Sequence, residues 1–79
     1  MQRHFRVSGI VYALSSSELE LQKTLPESLT IFFWGDNFVA EVDIPHEIRI
    51  ATGYFPERFT WCEVQMENNT EGEYHTVER

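Results

Sequence analysis

Residues 29–44, LTIFFWGDNFVAEVDI, hold ten apolar side chains in sixteen positions, Phe32, Phe33, Trp34 and Phe38 among them. No other window is rich enough to found a core, so the fold must be built around this one. Its first six residues are β-branched, aromatic or leucine. These types suit a pleated, half-buried surface, and six is an ordinary strand length. Gly35, Asp36 and Asn37 follow, each tolerant of turn conformations. Beyond them Phe38, Ala40, Val42 and Ile44 alternate with Val39, Glu41 and Asp43. That period of two reads as the second arm of a hairpin. The rival reading makes Asp36 or Asn37 an N-cap and starts a helix at Phe38, with Phe38 and Val42 on one face. Pro45 weighs against one continuous helix, because an interior proline removes a hydrogen bond and clashes one turn back.

Around this centre the chain reads in short segments. Residues 4–14 begin as a strand, with Phe5, Val7 and Gly9 on one face and His4, Arg6 and Ser8 on the other; Gly9 is a site for a bulge or twist. Ser15, Ser16 and Ser17 break the pattern. Ser17 before Glu18 resembles a helix start, but Pro26 ends it soon, and a polar loop or short strand arm reads equally well. Pro45 opens a helix over residues 45–52, with Ile44, Ile48 and Ala51 on one face and Gly53 beyond its end. In residues 58–66 Phe59 and Trp61 point one way, and Cys62, Val64 and Met66 the other, so apolar groups occupy both faces. One face packs on the helix, and the pattern leaves Phe59 and Trp61 as candidates for exposure. Residues 67–79 carry four Glu and one Arg with little that is apolar, which predicts a mobile acidic tail; a short strand from Tyr74 to Val77 is the alternative. The expected architecture is therefore α+β. One domain over residues 1–66 has a small three- or four-stranded, mostly antiparallel sheet and one short amphipathic helix on one face, and the tail follows.

Charge and cysteine content bound the chemistry. Thirteen acids against six Lys and Arg give a formal charge of −7 over 79 residues. A field of that sign opposes direct binding to nucleic-acid phosphates and favours a basic partner surface or plain solubility. The lone Cys62 allows no internal disulfide and fits a reducing, cytoplasmic setting. The opening stretch MQRHFRVSGIVYALSSS loosely mimics a signal peptide, yet Ser8, Gly9 and Tyr12 break its apolar patch. No apolar run approaches the about 18 residues of a membrane span, so no membrane partner is expected. His4, His46 and His75 have no metal-ligand spacing, and one Cys cannot build a structural zinc site. No metal, cofactor or catalytic residue is assigned. Asn68-Asn69-Thr70 matches a glycosylation acceptor in form only.

Several of these residues also match a known pattern. Leu25-Pro26-Glu27-Ser28-Leu29-Thr30-Ile31, then Glu47-Ile48, Thr52-Gly53 and Phe59-Thr60-Trp61, resemble a pattern in short acidic uncharacterised proteins of bacterial mobile elements and phages. There the order is L-P-x-x-L-T-I, then E-I-x-x-x-T-G, then an aromatic strand. The resemblance spans about half the chain and rests on structural positions. The apolar residues 38–44 depart from the acidic helix that precedes the second motif in that pattern. The resemblance implies an accessory protein of a phage or mobile element and carries over no functional residue.

The leading functional expectation is a non-enzymatic interaction protein or inhibitor. It would engage a basic protein partner, such as a nucleic-acid-binding host complex, by acidic charge and an aromatic face. The residues singled out for that contact are Trp34, Asp36, Glu41, Asp43, Phe59, Trp61 and Glu63. Stacking of bases on Phe32, Trp34, Phe59 and Trp61 ranks behind core packing and protein binding, because Lys and Arg are not interleaved with them. The alternative is a homo-oligomeric structural or regulatory subunit, for instance a homodimer, with the aromatic face buried against itself. An enzyme using Cys62 with His46 is the weakest reading, since nothing activates the thiol.

Overall fold

Strand β1, Gln2–Tyr12, is the hub of the fold. Its alternation buries Phe5 and Val7, and after Gly9 the buried residues become Ile10 and Tyr12. An odd-numbered pair followed by an even-numbered pair can share one face only if an extra residue is inserted between them. Gly9 supplies it: its φ is +59°, and the register to the neighbouring strand shifts between Ser8 and Val11. The expected bulge is therefore what keeps the whole strand facing one core.

A computed structural model describes residues 2–79. β1 is followed by a 3-10 helix (Ser16–Lys23), β2 (Leu29–Trp34), the helix α1 (Ala40–Thr52), β3 (Pro56–Val64) and β4 (His75–Glu78). The sheet has four antiparallel strands in the order β2-β1-β3-β4. β2 and β3 both run against β1, so α1 crosses from one side of the hub to the other. The fold is a small α+β domain.

α1 packs on the face that carries Phe5, Val7, Ile10, Tyr12, Ile31 and Phe59, and adds Ala40, Ile44 and Ile48 to that core. The three helix residues repeat every four positions, one stripe of an α-helix. The second hairpin arm over residues 38–44 is thus corrected to helix, from Ala40 onward. Neither Asp36 nor Asn37 caps it; the N-cap is Val39, whose backbone N–H donates to the Asp43 carboxylate at 2.7 Å. Pro45 lies inside the helix and is itself buried. Its missing N–H removes the hydrogen bond to the Glu41 carbonyl, and Glu41 is a solvent-exposed residue. The far end follows expectation: Gly53 has φ +88° and its N–H donates to the Arg49 carbonyl at 2.8 Å.

β2 pairs with β1 only as far as Val7–Leu29, so the outer half of β1 lacks a strand on that side. Gln22, from the 3-10 helix, takes its place. Its side-chain nitrogen donates to the Ile10 carbonyl at 3.0 Å, and its oxygen accepts from the Tyr12 N–H at 2.9 Å. The Tyr12 hydroxyl then donates to the Pro26 carbonyl at 2.6 Å. Gln22→Ala strips the protein partner from two strand groups and is expected to cost about 1–3 kcal/mol in denaturant unfolding.

The mobile tail is corrected in its last part. The Gly72 N–H donates to the Glu63 carbonyl at 2.8 Å, and His75–Glu78 then pairs with residues 58–61 of β3. Ladder hydrogen bonds hold this segment, together with Val77, which packs at the core margin. The less favoured strand near Tyr74–Val77 is the one that forms, shifted by one residue.

Candidate interaction surface

The two faces of the sheet differ. Residues directly opposite in an antiparallel ladder share a face. The register therefore puts Phe5, Ile31 and Glu63 under the helix, and His4, Phe32 and Val64 on the other side. On that other side the β1–β3 half is covered by the returning chain. Glu71 bridges to Val64, approaches Arg6 at 3.3 Å, and lies 3.7 Å from the Cys62 sulfur. The β2 half has no such cover. Phe32 is 51% exposed and Trp34 is 71% exposed. Phe32 stacks on the His4 ring at 4.8 Å, and the His4 Nε2 is buried without a hydrogen-bond partner among the described residues.

β2 is also the end of the sheet, and its only backbone hydrogen bonds among the described residues are those to β1. Its sequence, LTIFFW, contains no charge, proline or glycine. Charge and proline are among the devices that normally blunt an edge. The opposite edge, β4, is four residues long and carries Glu78, which is paired with Arg58 at 3.0 Å.

The seven residues singled out from sequence divide into three groups. Trp34, Asp36 and Glu41 are exposed, close in the chain, at the end where β2 turns into α1. Asp43 and Glu63 are half-buried and already engaged, Asp43 at the Val39 N–H and Glu63 in a two-pronged pair with Arg3 at 2.8 Å for each hydrogen bond. Phe59 and Trp61 face the helix, so their candidacy for exposure is corrected. Phe59 is only 2% exposed, and Trp61 is half-buried against Phe5, Phe38 and His75. Phe59 cannot touch a partner without unfolding. Phe32 was not among the seven; its spacing of two from Trp34 was the signal that would have found it.

Arg3 ties this end together. It donates to Glu63, lies 5.1 Å from the Phe5 ring centroid and 5.5 Å from that of Phe38, and is raised in pKa mainly by the Glu63 hydrogen bonds, with a smaller contribution from Asp36. Those hydrogen bonds hold the Glu63 carboxyl below its usual range. A depressed carboxylate stabilises the fold fully above the ordinary carboxylate range, and the contribution is lost as pH falls through the depressed value. Since Glu63 is partly solvated, the pair is worth about 0.5–1 kcal/mol. The unfolding free-energy gap between the native chain and Glu63→Gln is expected at pH 7 and to close as the pH falls below the ordinary carboxylate range.

A groove of about 610 Å³ opens beside this pair, between Arg3, Trp61, Glu63, Glu67, Glu73 and His75. Of the thirteen acids in the chain, three are in ion pairs among the described residues, which leaves ten without a cationic partner there. The negative field therefore comes mainly from carboxylates outside ion pairs. Cys62 is buried, and burial, followed by the Glu71 charge, pushes its thiol pKa up. That is the reverse of an activated nucleophile. His46 sits exposed on α1, across the sheet from Cys62. No cluster of three or more His, Cys, Asp or Glu suited to a metal occurs among the described residues, and no helix there is long and apolar enough to cross a membrane.

Comparison with protein-family models, with curated proteins and with solved structures finds no match.

Proposed function

We propose that this chain is a non-enzymatic protein-binding accessory or inhibitor protein that engages a basic partner surface through the end bearing Trp34, Asp36 and Glu41. One observation carries the reading. The most exposed aromatic among the described residues, Trp34, stands two residues from the exposed Asp36 on an edge strand that carries no charge and no proline. A large amphipathic ring that is free to be desolvated is a typical anchor of a protein interface, and carboxylates around it select a cationic counterpart. A partner rich in Lys and Arg, such as a nucleic-acid-binding host complex, fits that chemistry. The resemblance to phage and mobile-element proteins agrees with an accessory role of this kind.

The test is affinity capture from host lysate with elution in a salt gradient. One dominant partner released at moderate salt is expected, because exposed charge pairs are screened over about 8–10 Å at such ionic strengths. Asp36→Lys with Glu41→Lys, and separately Trp34→Ala, each weaken capture at least about tenfold. Capture that survives both changes sinks the reading.

The second reading, a homo-oligomeric regulatory subunit, is favoured by a different feature: the β2 edge is uncharged although the chain carries a charge of −7.

A further inference from the structure

The structure points to a second copy of this chain as the occupant of the β2 edge, and we propose that two domains pair β2 against β2 about a two-fold axis to form one eight-stranded sheet. This rests on the self-association reading above and specifies its geometry.

Three observations carry it. The outer edge of β2 is unpaired, free of bulges, and in continuous register with β1 from Gln2–Trp34 to Val7–Leu29. A straight, uncharged edge is a template for another strand. Charge then chooses the partner strand. Two chains of like charge repel almost everywhere, but β2 contributes no charge, and the nearest acids in the chain, Glu27 and Asp36, lie beyond its two ends. A second β2 is the strand whose own edge is equally uncharged and equally bare. Finally, side-chain parity fixes the register. Helix-facing Ile31 and open-face Phe32 must each meet a residue of their own face, so the two-fold axis has to pass through a residue and not between two. An axis at Phe32 sets that residue across from its own copy and Thr30 across from Trp34 of the other chain. Both exposed aromatics are then covered in one contact, on the same side of the combined sheet.

The assembly closes at two. Each copy has one β2 edge, and the remaining outer edges are the two short β4 strands with their Arg58–Glu78 pairs. The contact is one strand pair plus an aromatic cluster, at the small end of specific interfaces (below about 1,200 Å²). Its affinity should accordingly be modest. The same register brings Glu27 of one copy toward Asp36 of the other at both ends, so added salt tightens this dimer. Partner capture through Trp34 does the opposite and weakens with salt. The two uses of the edge exclude one another.

Sedimentation velocity across micromolar to millimolar protein, at about 0.05 and about 0.5 M salt, tests this. The expected result is a monomer–dimer equilibrium that tightens several-fold at the higher salt. Phe32→Lys places two lysines across the axis and weakens the dimer at least about tenfold. Thr30→Lys, at an exposed position, does the same if Phe32→Lys disturbs folding by circular dichroism. Thr76→Lys on β4 leaves the dimer unchanged. A monomer at every concentration overturns both this proposal and the self-association reading. A dimer indifferent to the Phe32 and Thr30 changes, or one lost in Thr76→Lys, overturns the β2 pairing alone. Open-ended oligomers overturn the two-fold closure.

Discussion

Phe5→Ala is expected to destabilise the domain by about 3–5 kcal/mol, the range for deleting a fully buried aromatic ring. A chain of this length has a total stability of about 4–12 kcal/mol, so the variant loses from about a quarter to all of it. The position explains the size of the effect. Phe5 is fully buried at the middle of the hub strand, stacks on Phe38 at a centroid distance of 3.9 Å, and meets Trp61 edge-on at 5.9 Å. Removing it leaves a void under α1 and deprives both aromatics of a partner. Phe32→Ala provides the contrast. That ring lies on the open face and is half exposed, so its removal is expected to cost under about 1 kcal/mol. Urea unfolding of the two variants measures the difference. Similar costs would mean that the open face is covered after all.

Ile44→Ala is the second large effect, at about 2–5 kcal/mol, and Val42→Ala is its partner, within about 0.5 kcal/mol. As helix, residues 40–44 bury Ala40 and Ile44 and leave Val42 64% exposed on the solvent side. As a strand they would bury Val42 and Ile44 on one face, and both substitutions would be costly. The ratio of the two costs therefore distinguishes the two conformations for this segment. It should be read from the denaturation midpoint with an unchanged slope, so that the difference reports on the folded state.

That segment shows where sequence and fold part company. Residues 38, 39, 40, 42 and 44 are all apolar, which satisfies a period of two and a period near four at once. The tie is broken by tertiary contact, because only the helix brings Ile44 and Ile48 together over Phe5 and Val7. Features with a local cause were legible. Residues 29–34 read as a strand because every side chain suits one, and Gly53 marks the helix end because it adopts a left-handed backbone. β4 was harder, since its order comes from backbone hydrogen bonds to β3, and Val77 is its single inward apolar group. For the candidate surface, Trp34, Asp36 and Glu41 could be named from sequence, and Phe59 was misplaced. Apolar residues on both faces of β3 left the helix-covered side undecided until the pairing with β1 was known. The parity of Phe32 with Trp34 was available, but which face stayed open depended on where the crossing helix lay.

β2 is bound to β1 on one side and bare on the other. Residue-resolved amide hydrogen exchange of the dilute monomer reads this directly, because a strand points successive backbone N–H groups to alternate sides. Alternation is predicted along Leu29–Trp34, every second amide being protected by β1 and the others exchanging at close to the rate of exposed groups. Protection of all six amides in the monomer would show the edge to be covered, and neither the partner-binding end nor the paired dimer could then stand as drawn.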